Sequence, residues 1–275
     1  DNDRVELRDA QHLWGQMSDS TQEIIKKEFG DPGIQVACIG PAGENLVRLS
    51  SVVVGGDGHC GRCGLGAVMG SKNLKAVAVR GTKGVKVADP DGLRNYVLGL
   101  KQKMMKHPNY ETFSKFGSKY VLPGRHFAGG LTIRNGQQTG SFWGFDEIKA
   151  ETLYDKYVVK NKACFGCLCH CRNWFEIKDG PYAGLRGVGT ELAIQEAWGS
   201  LLDNAYAPSL LQGHTLCNRY GMDALQCGQL LAAATEWYQR GLITKEDTQG
   251  IELNWGDHKA AMEMVHKIAN RKGIG

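Results

Sequence analysis

The spacing of apolar and polar positions changes character partway along the chain. Over the first eighty or so residues the apolar positions fall in short β-branched runs bounded by Gly and Pro: "GIQVACIG", "LVRLSSVVVGG" and "LKAVAVRG", the last from Leu74 to Gly81. Runs of that length and composition predict strands. Ahead of them, Ser20 followed by Glu23 has the spacing of a capping box and predicts a short helix through Phe29. After "VADPDG" the apolar period lengthens, and helical patterns dominate from Leu93 onward. A Gly-rich and aromatic stretch, "GGLTIRNGQQTGSFWGF", interrupts them as an expected loop.

The last third carries the clearest signals. Asp223 to Gln226 has N-cap spacing, the apolar run "LLAAATEWY" follows, and Gly241 closes the helix. Asp257 can cap a further helix ending at Gly273. The pattern predicts a boundary near residues 85 to 90, dividing an α/β portion, 1–86, from a mostly helical one, 87–275. No internal repeat or low-complexity tract is evident.

Composition narrows the classes. A chain of 275 residues with 42% hydrophobic content can bury a sizeable core in one large domain or two smaller ones. The net charge is +4, and the 33 Lys and Arg residues are scattered rather than gathered into a stripe, which argues against nucleic acid as the main partner. No run of eighteen apolar residues predicts a membrane span, and no signal-peptide pattern opens the sequence. Nine cysteines, an odd number, fit a reducing compartment better than a disulfide framework, so a cytoplasmic location is expected. The opening "DNDRVELRDAQ", without a methionine, and the closing "ANRKGIG" read as an internal stretch of a longer chain, with some site residues outside it.

Two segments carry candidate chemistry. In "NKACFGCLCHCRNWF", Cys164, Cys167 and Cys171 form C-x2-C-x3-C. Thiolates on a short irregular loop can take three corners of a four-iron, four-sulfur cluster, leaving a fourth ligand to come from elsewhere. The competing readings are a structural zinc site, with Cys60 and Cys63 joining Cys164 and Cys167 as two C-x2-C pairs, and unligated redox-active thiols. Cys169 is expected to be a bystander and His170 to face solvent. The second segment, "GGDGHCGRCGLGAVMGSKNLKAVAVRGTKG", is dense enough in glycine for backbone amides to approach a bulky anionic ligand, with Arg62 offering a bidentate fork. It equally suits a tight loop feeding the strand at Leu74. It is not a dinucleotide fingerprint, since no helix and acidic residue follow at the required distance.

Together these segments resemble the tungsten-containing aldehyde ferredoxin oxidoreductase family. "IGPAGENLVRLSSVV", the glycine-rich stretch, the C-x2-C-x3-C run and "YGMDALQCG" through "IANRKGIG" stand in the family's order, and the likeness covers nearly the whole chain. The resemblance implies an α+β fold: the end of a β-rich base domain for a bis-pterin tungsten or molybdenum cofactor, then a mostly helical domain. It places Gly61 and Arg62 at one pterin. Gly58 and His59 stand where the family usually has Arg and Ala, making His59 a replacement donor, and Cys63 stands where Gly is usual. The second pterin is implied to be held by "NRYGMD", that is Asn218, Gly221, Met222 and Asp223, with Asn for the family's first Asp and Met for its Leu. Asp223 can hold the pterin and cap a helix at once. Cys164, Cys167 and Cys171 match the family's cluster ligands, whose fourth lies beyond Gly275. Magnesium bridging the pterin phosphates is a further implied ligand. Cys217 and Cys227 are expected to be buried small hydrophobes.

The resemblance also matches "GVGTELA" to a stretch bringing a glutamate to the metal. Glu191 is then expected in a water-poor pocket with a raised pKa, moving a proton to or from water or the substrate carbonyl; its plain alternative is a first-turn helical glutamate. The implied reaction is oxidation of a small aldehyde by water to a carboxylic acid, with electrons leaving through the cluster to ferredoxin or an iron–sulfur partner subunit, in an oligomeric protein. Two further readings are a benzoyl-coenzyme A reductase-type active-site subunit and a non-catalytic iron–sulfur electron-transfer module.

Overall fold

The structure is a computed structural model and describes residues 5–275; the first four residues of the expected 1–86 portion lie outside the described residues. The chain is α+β, as the resemblance implies. Helix α1 (Ser18–Phe29) leads into a small antiparallel sheet built from β1 (Gln35–Cys38), β2 (Val52–Val54), β3 (Gly58–Cys60) and β4 (Ala76–Val79), in the order β3-β2-β1-β4. Short helices α2 (Pro41–Glu44) and α3 (Leu65–Gly70) fill the connections. Alternation along β1 sends Val36 and Cys38 to one face, where they meet Leu13, Ile25 and Ile34 in a compact cluster under α1. Lys75 and Glu44, both buried, form an ion pair beside it, and Lys75 also donates to the Gln16 carbonyl at 2.9 Å.

Beyond β4 the chain becomes mostly helical. Helices α4 (Pro90–Met105), α5 (Tyr110–Phe116) and α6 (Leu122–Phe127) precede a hairpin of β5 (Leu131–Ile133) and β6 (Gln138–Gly140). Then α7 (Phe145–Ile148) and α8 (Ala150–Tyr157) lead into a second sheet of β7 (Val158–Lys162), β8 (Arg172–Glu176) and β9 (Arg186–Val188). Four helices close the chain: α9 (Leu192–Trp198), α10 (Ala207–Tyr220), α11 (Ala224–Gln239) and α12 (His258–Asn270). They bury the main core, with Trp198, Leu210, Cys217, Cys227 and Val265 wholly inside. Trp198 spends its one polar atom on the Ala224 carbonyl at 2.8 Å, so the largest core side chain leaves no unpaired donor. Among the described residues no helix is long and apolar enough to cross a membrane.

Several local expectations are corrected. The capping box at Ser20 does not form: α1 begins at Ser18 behind Met17, and Ser18 gives its hydroxyl to the Asn218 carbonyl at 2.8 Å instead of to its own helix. Strand β3 lies inside the expected glycine loop, and a hairpin occupies part of the expected Gly-rich and aromatic loop. Helix α12 stops at Asn270, with Arg271 in the left-handed region, before reaching Gly273. The Asp223 and Asp257 caps both form.

Candidate functional site

The site begins with a hairpin. Gly55 and Gly56, at φ 60° and 89°, turn the chain from β2 into β3, and the pairing of Val53 with His59 fixes the register. His59 points inward: its Nδ1 lies 2.7 Å from Ser51 Oγ, while its Nε2 is buried with no partner. Burial pushes the imidazole pKa down, against the pull of the Asp223 and Asp57 carboxylates. Past β3, Arg62, Cys63 and Gly64 are all left-handed, at φ 64°, 60° and 68°. Such a run costs non-glycine residues energy, and Cys63 bears it where glycine would not. It carries the Arg62 guanidinium to Asp223, with Nε 3.7 Å from Oδ2.

Asp223 ends a turn that packs onto the same hairpin. Helix α10 finishes at Tyr220, Gly221 caps it at φ 71°, and α11 begins behind Asp223. The Asp223 Oδ1 accepts from the amides of Leu225 at 2.9 Å and Gln226 at 3.2 Å, which frees Oδ2 to face Arg62. Backbone bonds fasten the turn: Ser51 N donates to Gly221 O at 2.8 Å, and Asp223 N to Leu49 O at 2.9 Å. Met222 is fully buried in the core and presents no side-chain surface to a ligand. Asn218, one turn earlier, donates from Nδ2 to His214 Nε2 at 3.2 Å. His214 is buried, and loss of solvation, helped by nearby His59 and Arg172, drives its pKa down to about 3, so it is neutral.

This corner holds an unusual density of unpaired polar atoms: His59 Nε2, His214 Nδ1, Thr215 Oγ1, Ser50 Oγ and Gln226 Oε1 are all buried without partners among the described residues. Native interiors leave few such groups unless a ligand completes them. A cavity of about 380 Å³ opens beside Asn218 and Thr215, walled by Asp57, Trp174 and Arg186. A pterin, whose ring carries donors and acceptors on adjacent edges, fits this donor and acceptor set.

The cysteine loop is tied to the same place. Lys162, last in β7, and Arg172, first in β8, pair across the mouth of the loop and both reach Asp57, at 2.5 and 3.2 Å from its Oδ2. Asp57 thus pins the loop to the β2–β3 hairpin. Within the loop, Cys167 N donates to Cys164 O at 3.1 Å and Cys167 Sγ to Cys169 O at 3.3 Å. Cys164 and Cys167 are exposed and Cys171 is half-buried. Burial first, then the Glu191 carboxylate and the other two thiols, raise the Cys171 pKa.

Among the described residues no three His, Cys, Asp or Glu side chains converge as closely as a single ion requires, so Cys60, Cys63, Cys164 and Cys167 do not assemble the zinc alternative. A four-iron cluster makes a different demand. Each thiolate binds its own iron, and three thiols spread over one irregular loop suit that set. Cys169 lines an apolar cavity of about 400 Å³ with Tyr110 and Phe113, away from this role, and His170 is exposed.

Glu191 lies at the N-cap of α9, not within its first turn. Ser118 Oγ donates to Glu191 Oε2 at 2.6 Å and accepts from Leu192 N at 3.1 Å, fixing the carboxylate beside the helix start. Its side chain is exposed, and the described residues do not form the expected water-poor pocket over it. Sequence reasoning missed Ser51, Asp57, Lys119 and His214. Asp57 and Ser51 stood inside the quoted glycine-rich and "IGPAGENLVRLSSVV" stretches, whereas Lys119 and His214 had no local signal.

The family model described as "Aldehyde ferredoxin oxidoreductase, N-terminal domain" matches residues 1–81, and "Aldehyde ferredoxin oxidoreductase, domains 2 & 3" matches 96–275. A tungsten-containing aldehyde ferredoxin oxidoreductase of Pyrococcus horikoshii is 36% identical over 284 residues, covering 100% of this chain and 45% of that protein. The aliphatic sulfonate oxidoreductase WOR-like subunit of Pyrococcus furiosus is 31% identical over 288 residues, with 100% and 45% covered. Among solved structures, the active site complex BamBC of benzoyl coenzyme A reductase with 1,5-dienoyl-CoA superposes with TM-score 0.84 at 30% identity, over 100% of this chain and 42% of that one. The chain thus spans about half the length of the relatives it matches.

Proposed function

This chain belongs to the aldehyde ferredoxin oxidoreductase family, and from that premise we propose that the protein oxidises an aldehyde with water to the carboxylic acid. When bound, a tungsten or molybdenum bis-pterin supplies the two-electron change and a 4Fe–4S cluster the one-electron relay to ferredoxin or an iron–sulfur partner subunit. Asn218 and Asp223 would accept from pterin amino groups, His59 Nε2 and the backbone at Gly61 would meet the other pterin, and Arg62 would offer its guanidinium to a pterin phosphate, a group that can also take magnesium. Gly221 and Met222 shape the turn that presents them. Cys164, Cys167 and Cys171 hold the cluster. Glu191, oriented by Ser118, takes a proton from water or returns one to the substrate oxygen.

The observation that carries this reading is the convergence on one corner of the unpaired buried polar atoms, the Asn218–Asp223 turn and, through Asp57, the cysteine loop. The test is anaerobic purification of the full-length protein, elemental analysis, and assay of aldehydes against a low-potential acceptor. Tungsten or molybdenum together with iron and aldehyde-dependent reduction is the expected result. Iron alone would leave an electron-transfer module, and zinc alone would remove the cluster. A second reading, reduction of an aromatic thioester, is favoured by the likeness to the benzoyl coenzyme A reductase complex. Benzoyl-CoA turnover without aldehyde turnover would select it.

A further inference from the structure

Lys119 is buried, 5% exposed, in the turn between α5 and α6. Its ammonium donates to Asn173 Oδ1 and to the Thr190 carbonyl, each at 3.0 Å. Both partners are neutral, and among the described residues no carboxylate pairs with it. Asn173 stands two residues beyond Cys171 on β8, and Thr190 directly precedes Glu191. The same turn touches the cysteine loop: a Cβ placed on Gly117 would lie 2.6 Å from the Cys171 carbonyl oxygen. Ser118, between them, holds Glu191. Burial pulls the Lys119 pKa down while Glu191 and Cys171 oppose that pull. A buried cation whose hydrogen-bond partners are neutral is costly to keep unless an anion balances it, which the exposed Glu191 does only in part. A cluster bound by thiolates is such an anion.

We propose that Lys119 is a positioning residue whose fixed positive charge beneath the cysteine loop balances the iron–sulfur cluster and raises its reduction potential. This rests on the cluster reading given above. On reduction the cluster gains one electron from a low-potential donor; no bond forms or breaks, and Lys119 keeps its proton. The added negative charge is favoured by the neighbouring cation, so loss of that cation lowers the potential.

The experiment is a redox titration of the full-length protein, followed by electron paramagnetic resonance, in the wild type and in Lys119→Gln, Lys119→Met and Lys119→Arg. Gln retains a hydrogen-bond donor for Asn173 and Thr190 without the charge, so a purely structural role would survive in it. Lys119→Gln and Lys119→Met are expected to disfavour reduction at least tenfold, about 59 mV for a one-electron couple, while Lys119→Arg stays within threefold. Loss of the cluster in Gln but not in Arg also supports the charge. An intact cluster with an unmoved potential in Gln, or loss of the cluster in Arg as well, overturns the role of Lys119 alone. A wild-type protein without iron overturns the cluster reading and this one with it.

Discussion

At the residue scale, the Glu191 carboxylate accepts a hydrogen bond from Ser118 and its side chain is exposed. If it moves the proton, Glu191→Gln lowers kcat by roughly 10²–10⁴-fold with little change in KM, because the amide keeps the shape but cannot take a proton. Steady-state aldehyde turnover by the full-length protein checks this, and unchanged kcat removes Glu191 from the mechanism. Asp223 shows how far single residues were legible. Its capping role follows from spacing to Gln226, a local fact. Its second oxygen facing Arg62, like the burial of His214 and Lys119, depends on contacts between distant segments, which no local pattern records.

At the element scale, the decisive piece is the turn between α10 and α11. Gly221 sits at φ 71°, and a Cβ there would lie 2.7 Å from the Gly40 amide nitrogen. Gly221→Ala is therefore strained in backbone and in packing, and a loss of roughly 2–3 kcal/mol of unfolding free energy is expected. Denaturant titration checks it, and a loss below about 0.5 kcal/mol, the range of ordinary surface changes, counts against the clamp. The three apolar strands and the Asp-capped helices were readable because side chains dictate them. Strand β3, "GHC", and the short β5–β6 hairpin were not, because pairing partners rather than composition make them strands. The Ser20 box failed for a related reason: Ser18 was drawn to Asn218, and the helix started with it.

At the scale of the whole molecule, the buried imidazoles set a dependence on pH. His214 stays neutral in the fold to about pH 3, whereas an unfolded histidine takes its proton near pH 6.5. Between those values the unfolded chain binds more protons, so stability is present above the unfolded pKa and is lost as the pH falls. The slope approaches about 1.4 kcal/mol per pH unit well inside the window. His214→Gln is expected to flatten that slope, which denaturant unfolding between about pH 7 and about pH 4.5 measures; an unchanged slope would place the acid sensitivity elsewhere. Periodicity predicted an α/β portion followed by a mostly helical one and the resemblance implied the α+β class, but neither recorded how the parts join.

That joining has a consequence for how the protein is made. Asp57 is grasped by Lys162 and Arg172, 105 and 115 positions downstream, and the hairpin behind it is clasped by a turn later still. Contacts so remote in sequence form only after the intervening stretch has been synthesised and the loop between them has closed. Neither the early nor the late half alone offers a bulky organic guest a seat. A bulky organic guest seated at this corner would therefore arrive only once these distant segments have come together.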